Sequence, residues 1–198
     1  MSLMPSFYDK NAVSLAKYYD SVEFESVHHS CRTYWPRSGS FVLDVGAGTG
    51  RDARWFHKQG CSVVAVEPSS GMRQLGIENS AKEINWINDS LPDLTSVVRL
   101  ENLYDFILLS GVWMHLPTSN RAAAFKTLSD LLSDNGILVI TLRHGSFHDE
   151  REHFDVSVSE LENLCLSSCL SICQVTEQTD MLKRHDITWK TVVLKKIA

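Results

Sequence analysis

The sequence predicts an α/β protein built on a doubly wound, seven-stranded sheet, mostly parallel, with helices on both faces. Short runs of β-branched and other apolar residues alternate with helical patterns, which is typical of stacked βα units. Five of these runs are apolar nearly throughout, as expected for strands that are buried on both faces. Only a polar loop separates the last two runs. It is too short for a crossover helix, so these two strands are predicted to pair antiparallel at the end of the sheet.

Seven segments are predicted as strands, and most of the gaps between them as helices. The strands are Phe41–Val45, Ser62–Glu67, Ile84–Asn88, Tyr104–Leu109, Gly136–Leu142, Leu170–Thr176 and Ile187–Leu194. One helix is expected to follow Gly50 and to end at Gly60, a natural left-handed cap. A second begins near Thr118 and ends at Asp134-Asn135-Gly136. A third opens with the capping box Ser157-Val158-Ser159-Glu160.

The first 36 residues lie outside this alternation. Ala12 to His29 have a helical pattern, and we expect residues 1–36 to form a helical extension of a domain that comprises residues 37–198. A chain of 198 residues suits one domain with short extensions, since domains average roughly 150 residues.

Composition and charge disfavour several classes of protein. With 19 basic and 24 acidic residues the formal net charge is −5, whereas proteins that hold nucleic acid usually carry a basic surface. The longest stretch without Lys, Arg, Asp or Glu, Phe106–Asn120, is too short and too polar to span a bilayer. No secretory signal is visible, so a cytoplasmic location is expected. The five cysteines include no C-x-x-C pair, so neither a disulfide scaffold nor a zinc site is indicated.

A glycine-rich turn, Gly46-Ala47-Gly48-Thr49-Gly50, follows the first predicted strand. Glycines there let the chain bend sharply into a helix and let the backbone approach a ligand without an intervening Cβ. The N–H groups of the next helix point into the same crevice, at the carboxyl end of the strand, where doubly wound sheets bind small molecules. Asp44 precedes the glycines and completes the pattern D-x-G-x-G-x-G.

Acidic residues end two further strands at this edge of the sheet. Glu67 follows Gly46 by 21 residues (67 − 46), where a carboxylate can accept hydrogen bonds from both hydroxyls of a ribose. Asp89, with Ser90 beside it, follows the third strand, where a carboxylate can accept from the amino group of an adenine. The pattern therefore predicts a site for an adenosine-containing ligand.

A nicotinamide or flavin dinucleotide is the competing ligand. Its fingerprint G-x-G-x-x-G fails here, because Arg51 occupies the sixth position. No tyrosine is followed four residues later by a lysine, so a familiar reductase pair is absent, and the G-x-x-x-x-G-K-[ST] loop of nucleoside triphosphatases is absent too. A nucleotide-dependent oxidoreductase remains the less favoured alternative.

These residues closely resemble those of the class I S-adenosylmethionine-dependent methyltransferases of small-molecule type, whose sheet is Rossmann-like. The resemblance runs from about Val42 to the end of the chain and implies S-adenosylmethionine as cofactor and S-adenosylhomocysteine as product. In that family the glycine loop holds the methionine part, strand-end acids hold ribose and adenine, and the loop after the fourth strand lies under the sulfonium. The matching positions here are Asp44, Gly46, Ala47, Gly48, Gly50, Glu67, Pro68, Met72, Asp89, Ser90 and Ser110.

The acceptor side of the site is predicted from the segments after the fourth and fifth strands. His115 is the first catalytic candidate, with Trp113 beside it as a wall of the substrate pocket. Arg143 and His144 end the fifth strand and are the second catalytic candidates. With Arg184 they would form a cationic rim suited to a carboxylate or phosphate. The alternatives are a histidine bonded to backbone at a helix start, a core tryptophan and two solvated loops.

The resemblance also implies that the N-terminal extension folds over the cofactor as a lid. Tyr8, Tyr18 and Tyr19 lie in it, and we assign Tyr18 and Tyr19 to the substrate pocket. Three histidines between positions 144 and 153 have mixed spacing and charged neighbours, which favours a hydrated loop. No metal is therefore predicted.

We expect in-line transfer of a methyl group from S-adenosylmethionine to a small polar or anionic acceptor. The segment Ser110-Gly111-Val112-Trp113 lacks the Asp- or Asn-Pro-Pro-aromatic and Pro-Cys runs of nucleic-acid methyltransferases, and no room is left for a target-recognition domain. The main alternative is a non-catalytic protein that binds S-adenosylmethionine or S-adenosylhomocysteine, as a sensor or partner subunit.

Overall fold

Seven strands form one sheet in the order β3-β2-β1-β4-β5-β7-β6 in the computed structural model, which describes residues 4–147 and 149–197. Strands β1 to β5 are parallel, and β7 runs antiparallel to both of its neighbours. The strands are β1 Phe41–Val45, β2 Ser62–Val66, β3 Asn85–Ile87, β4 Tyr104–Leu109, β5 Leu132–His144, β6 Leu170–Thr179 and β7 Thr188–Lys196. The predicted fold class, including the antiparallel ending, is confirmed.

In the described part of the chain, seven helices connect or flank these strands: α1 Met4–Tyr19, α2 Phe24–His28, α3 Arg51–Lys58, α4 Ser70–Glu78, α5 Thr95–Val98, α6 Thr118–Leu131 and α7 Val158–Cys165. Short 3₁₀ turns follow α2 and β4, at His29–Tyr34 and Trp113–His115. None of the helices in the described residues has the length and apolarity needed to cross a lipid bilayer.

The sheet is buried on both faces because successive strand residues point in opposite directions. In β1, Val42 belongs to the apolar cluster that contains Ala53 and Phe56 of α3. Leu43 and Val45 belong to the opposite cluster, which contains residues of α5, α6 and α7. This two-sided burial explains why the central strands read as nearly continuous apolar runs.

The end of α6 differs from its prediction. The helix ends at Leu131, and the residues predicted to close it already belong to β5. Asn135 has a φ of +62°, and the register of β4 against β5 shifts between Tyr104 and Phe106. The Asp-Asn-Gly signal therefore marks an irregularity inside a long strand instead of a helix cap.

The N-terminal segment is two helices instead of the single one predicted from Ala12 to His29. Helix α1 packs on α4, and Asp9 fixes the contact: its Oδ1 accepts hydrogen bonds from Ser69 Oγ at 2.7 Å and Gly71 N at 2.9 Å. Asp9 thus binds the start of α4 at the carboxyl edge of the sheet, which places α1 beside the crevice. The division into residues 1–36 and 37–198 stays a prediction.

Candidate functional site

A cavity of about 720 Å³ opens at the carboxyl edge of the parallel strands, between α1 and the segments that follow β1, β2, β4 and β5. Its volume lies in the range of small-molecule sites, about 300–1,000 Å³. The predicted residues that line it are Tyr19, Gly46, Ala47, Gly48, Glu67, Pro68, Met72, Asp89, Ser90, Ser110, His115, Arg143 and Arg184. Side chains predicted from separate segments therefore meet around one space.

The glycine loop has the conformation that its sequence requires. Gly46 and Gly48 have φ values of +72° and +57°, in the left-handed region that other residues rarely adopt. A Cβ on Gly46 would also collide with the side chain of Val112. The N–H groups of Gly46 and Ala47 both bond to the carbonyl of Val66, so this loop is fastened to the end of β2.

Glu67 connects the glycine loop to the start of α4. Its carboxylate accepts hydrogen bonds from Gly48 N at 2.8 Å and from Ser69 N at 2.9 Å. Only 7% of the residue is exposed, and this burial raises the pKa of the carboxyl, against the lowering effect of the two N–H donors. A carboxylate has four acceptor positions, so Glu67 can also accept from hydroxyl groups in the cavity.

Asp89 lines the cavity while it also orders the backbone around it. Its Oδ1 accepts from Ser90 N at 2.8 Å, and its Oδ2 accepts from Ser96 N at 2.6 Å and Val97 N at 3.2 Å in α5. These bonds fix the carboxylate at the third strand end. Its contact with adenine stays a prediction.

Two predicted cofactor residues lie behind the cavity wall. Asp44 is 1% exposed, and its Oδ2 has no hydrogen-bond partner among the described residues. Burial raises the pKa of this carboxyl well above its usual value, with the neighbouring carboxylate of Asp52 adding to the effect. Gly50 is buried as well, and a Cβ there would lie 2.7 Å from the Trp86 ring. Both residues support the glycine loop and do not line the cavity.

His115 is held by hydrogen bonds on both sides of its ring. Nδ1 lies 2.9 Å from the carbonyl oxygen of Glu152, and Nε2 lies 3.2 Å from the hydroxyl of Tyr8. A carbonyl oxygen can only accept, so Nδ1 carries the proton and Nε2 presents a lone pair, to which Tyr8 donates. Burial raises the pKa of the Tyr8 phenol, so this hydroxyl keeps its proton at neutral pH.

The imidazole of His115 is neutral at physiological pH. Burial lowers its pKa to about 4, and the positive charges of Arg151 and Arg143 act in the same direction. The hydrogen bond to the Glu152 carbonyl opposes this shift. The Nε2 lone pair accepts from the Tyr8 hydroxyl, so a proton from a ligand can reach this neutral histidine through that hydroxyl.

Arg143 points into the same cavity from the end of β5. Its Nη1 donates to Gly145 O at 2.7 Å, its Nη2 donates to Ser146 O at 2.8 Å, and its Cζ lies 3.6 Å from the centre of the Phe147 ring. Burial, followed by the charges of Arg184 and Arg151, lowers its pKa to about 10, so the guanidinium remains charged at neutral pH.

Three predicted site residues lie elsewhere. His144 does not line the cavity, because it follows Arg143 in a strand and consecutive strand residues point to opposite faces. Trp113 is fully buried in the core, where its Nε1 donates to Glu160 Oε2 at 3.3 Å. Tyr18 is 40% exposed and outside the cavity lining, whereas Tyr19, the next residue along the helix, faces the cavity.

Hydrogen bonds between segments that are distant in sequence link the residues around the cavity, and the sequence did not predict these bonds. The hydroxyl of Tyr19 accepts from Arg151 Nη1 at 2.9 Å, and Thr49 Oγ1 in the glycine loop donates to Asp20 Oδ1 at 2.8 Å. Arg151 was predicted to lie in a hydrated loop, but it lines the cavity and lies over Phe147, 4.7 Å from the ring centre. The available sign in the sequence was the position of Phe147 close to both Arg143 and Arg151, which favours contact between the ring and the two guanidinium groups.

The sequence predicts no metal site among the histidines between positions 144 and 153. Within residues 4–147 and 149–197, no cluster of three or more His, Cys, Asp or Glu side chains could hold a metal ion. His148, one of these histidines, lies outside the described residues.

Comparisons with known proteins agree with this geometry. The profile of a family described as a methyltransferase domain matches residues 19–180. A protein of Staphylococcus carnosus described as an uncharacterized methyltransferase is 30% identical over 99 residues, which are 50% of this chain. The chain matches only 45% of the length of that relative.

Solved structures share the fold across nearly the whole chain. A TehB-like SAM-dependent methyltransferase from Corynebacterium glutamicum has a TM-score of 0.72 at 18% identity, over 97% of this chain and 99% of its own. The 1,6-didemethyltoxoflavin-N1-methyltransferase of Burkholderia thailandensis, solved with 1,6-didemethyltoxoflavin and S-adenosylhomocysteine, has a TM-score of 0.71 at 16% identity, over 98% and 87%. Identities this low establish a common fold alone.

Proposed function

The chain belongs to the methyltransferase-domain family, and we propose that it transfers a methyl group from S-adenosylmethionine to a small polar or anionic acceptor. The observation that carries this proposal is that one cavity is lined by both cofactor-type and acceptor-type residues. The glycine loop and Glu67 line it at the ends of β1 and β2, and the neutral His115 and the charged Arg143 line it after β4 and at the end of β5. The family match favours this function over a nucleotide-dependent oxidoreductase.

The residues present fit the cofactor. The glycine loop offers backbone without a Cβ at Gly48, where the nearest side-chain atom to an added Cβ is Met72 Cε at 3.7 Å. Glu67 supplies acceptors for ribose hydroxyls, and the buried Asp44 lies behind the loop that would face the methionine part. When bound, the cofactor supplies a methyl group that is already activated by a sulfonium.

The residues of the chain must hold the acceptor in line with that methyl group. Where the nucleophile of the acceptor carries a proton, they must also remove this proton. Correct positioning can contribute up to about 7–11 kcal/mol of the barrier. We assign proton removal to the neutral His115, whose Nε2 receives the proton of the Tyr8 hydroxyl while that hydroxyl takes the proton of the acceptor. Tyr8 orients this nitrogen, and α1, which carries Tyr8 and Tyr19, is proposed as the lid.

Turnover separates this function from that of a non-catalytic binding protein. Purified protein is incubated with S-adenosylmethionine and a panel of small acceptors, and released S-adenosylhomocysteine is measured. We expect release that depends on the acceptor. Tight binding of S-adenosylhomocysteine without turnover on any anionic or neutral acceptor would instead support the non-catalytic alternative.

The pH dependence of the reaction tests the state of His115. A base with a pKa of about 4 is predominantly neutral at pH 5 and above. With an acceptor that does not titrate, kcat/KM is therefore expected to stay level as the pH falls from about 8 to about 5, since kcat/KM reports groups of the free enzyme. An acid limb centred near about 6.5, the value of an unperturbed histidine, would contradict the assignment.

A further inference from the structure

The cavity contains four arginines, and one of them differs from the rest. Three pair with a nearby carboxylate: Arg51 with Asp52, Arg151 with Asp149 and Arg184 with Asp180, at N···O distances of 2.6, 2.6 and 2.5 Å. Arg143 has no carboxylate within 4 Å in the part of the chain that the structure describes. Among the described residues, the guanidinium donates to the carbonyls of Gly145 and Ser146, which are neutral.

Arg143 is also incompletely hydrogen-bonded. The residue is 7% exposed, and its Nε is a buried nitrogen without a partner among the described residues. A buried charge is costly unless it is paired, and a buried donor without an acceptor adds a further cost. An oxyanion supplied by a ligand in the cavity would pair with the charge of the guanidinium.

The position of Arg143 separates this ligand from the cofactor. The glycine loop follows β1, whereas Arg143 ends β5, two strands away in the order β1-β4-β5. Neighbouring strands lie about 4.8 Å apart, so the two positions are roughly 10 Å apart across the sheet. The oxyanion is therefore expected to belong to the acceptor and not to the methionine carboxylate of the cofactor.

Phe147 places Arg143 close to His115. The ring centres of His115 and Phe147 are 5.4 Å apart, and Arg143 Cζ lies 3.6 Å from the Phe147 ring centre. The imidazole and the guanidinium are thus within about 9 Å of each other, the sum of those two distances. A small molecule can span this gap with its anionic group at one end and its nucleophile at the other.

We propose that Arg143 is the anion-binding residue of the acceptor site and that the acceptor carries a carboxylate or phosphate, bound by the Arg143 guanidinium, with its nucleophile beside the Tyr8 hydroxyl and His115. This inference rests on the proposed function, because it assumes that the remainder of the cavity holds the cofactor. The anion would also offset the positive potential around His115, so binding is expected to make that histidine a stronger base.

The test uses the protein saturated with S-adenosylhomocysteine, titrated with benzoate and with inorganic phosphate in a low-salt buffer and followed by calorimetry. Benzamide serves as the uncharged counterpart of benzoate. We expect at least one anion to bind at millimolar concentration and benzamide to fail. Arg143→Gln should weaken anion binding about 10–100-fold, as the loss of a charge-assisted hydrogen bond does. Arg143→Lys, which keeps the charge, should retain part of the affinity.

Arg99→Gln is the matched control, because Arg99 is an exposed arginine outside the cavity, and it should leave anion binding unchanged. Thermal unfolding shows that each variant folds. Equal anion affinity in Arg143→Gln and the original chain, or no anion binding by the original chain, would overturn the proposal. So would a loss of S-adenosylhomocysteine affinity in Arg143→Gln, since Arg143 would then hold the cofactor. Failure of the original chain to bind S-adenosylhomocysteine at all would refute the proposed function instead.

Discussion

His115→Ala is expected to lower kcat about 10²–10⁴-fold, the usual contribution of a positioned general base. The reason is that His115 Nε2 is an unprotonated nitrogen that faces the cavity, with its tautomer fixed by the Glu152 carbonyl. S-adenosylhomocysteine affinity should change little, because the histidine lies on the acceptor side. The measurement is the rate of S-adenosylhomocysteine formation at saturating cofactor and acceptor.

Two variants control this experiment. Tyr8→Phe removes only the hydroxyl that donates to Nε2, so its kcat should fall less than that of His115→Ala. His29→Ala replaces an exposed histidine that does not line the cavity and should retain full activity. Unchanged turnover in His115→Ala would show that the acceptor needs no base and would remove His115 from the mechanism.

Glu67→Ala is expected to weaken S-adenosylhomocysteine binding by about 1.5–3 kcal/mol, or ~10–100-fold in Kd. The carboxylate is the proposed acceptor for the ribose hydroxyls, and it also fastens Gly48 to the start of α4. Removing it deletes the ribose contacts and leaves two backbone donors without their acceptor. Calorimetry gives the Kd, and thermal unfolding separates lost binding from lost folding.

Glu67→Gln tests whether the carboxylate, and not merely the size of the side chain, is needed for binding of S-adenosylhomocysteine. Glutamine keeps the size of the side chain, but it offers one oxygen where two backbone N–H groups each need an acceptor, so binding should still weaken. Glu83→Ala, at an exposed position outside the cavity, should bind like the original chain. A Kd that Glu67→Ala leaves unchanged would contradict the ribose assignment.

The cofactor side of the cavity was predictable because its signals are local. The positive φ values of Gly46 and Gly48 follow from a tight strand-to-helix turn, which only glycine makes at low cost. Glu67 follows directly from the last residue of a short apolar strand, so its position at the sheet edge can be read from the strand pattern. The parallel order of the strands then brings these groups to one edge.

The acceptor side was predicted less well because side-chain direction and distant contacts determine it. Strand alternation implies that only one of Arg143 and His144 can face the cavity, yet nothing in the sequence states which. Trp113 lies in a short 3₁₀ turn whose packing turns the indole into the core. The Tyr8–His115 bond joins residues 107 positions apart, so no local pattern could reveal it.

Calorimetric titration of the unmodified chain with S-adenosylmethionine, S-adenosylhomocysteine and NADH shows which of these ligands the cavity binds. If the cleft holds an adenosyl sulfonium as proposed, the first two compounds bind at one site per chain and compete with each other, while NADH produces no saturable heat. If neither S-adenosyl compound produces heat of binding at millimolar concentration, or if only NADH binds saturably, the cavity is not a site for S-adenosylmethionine.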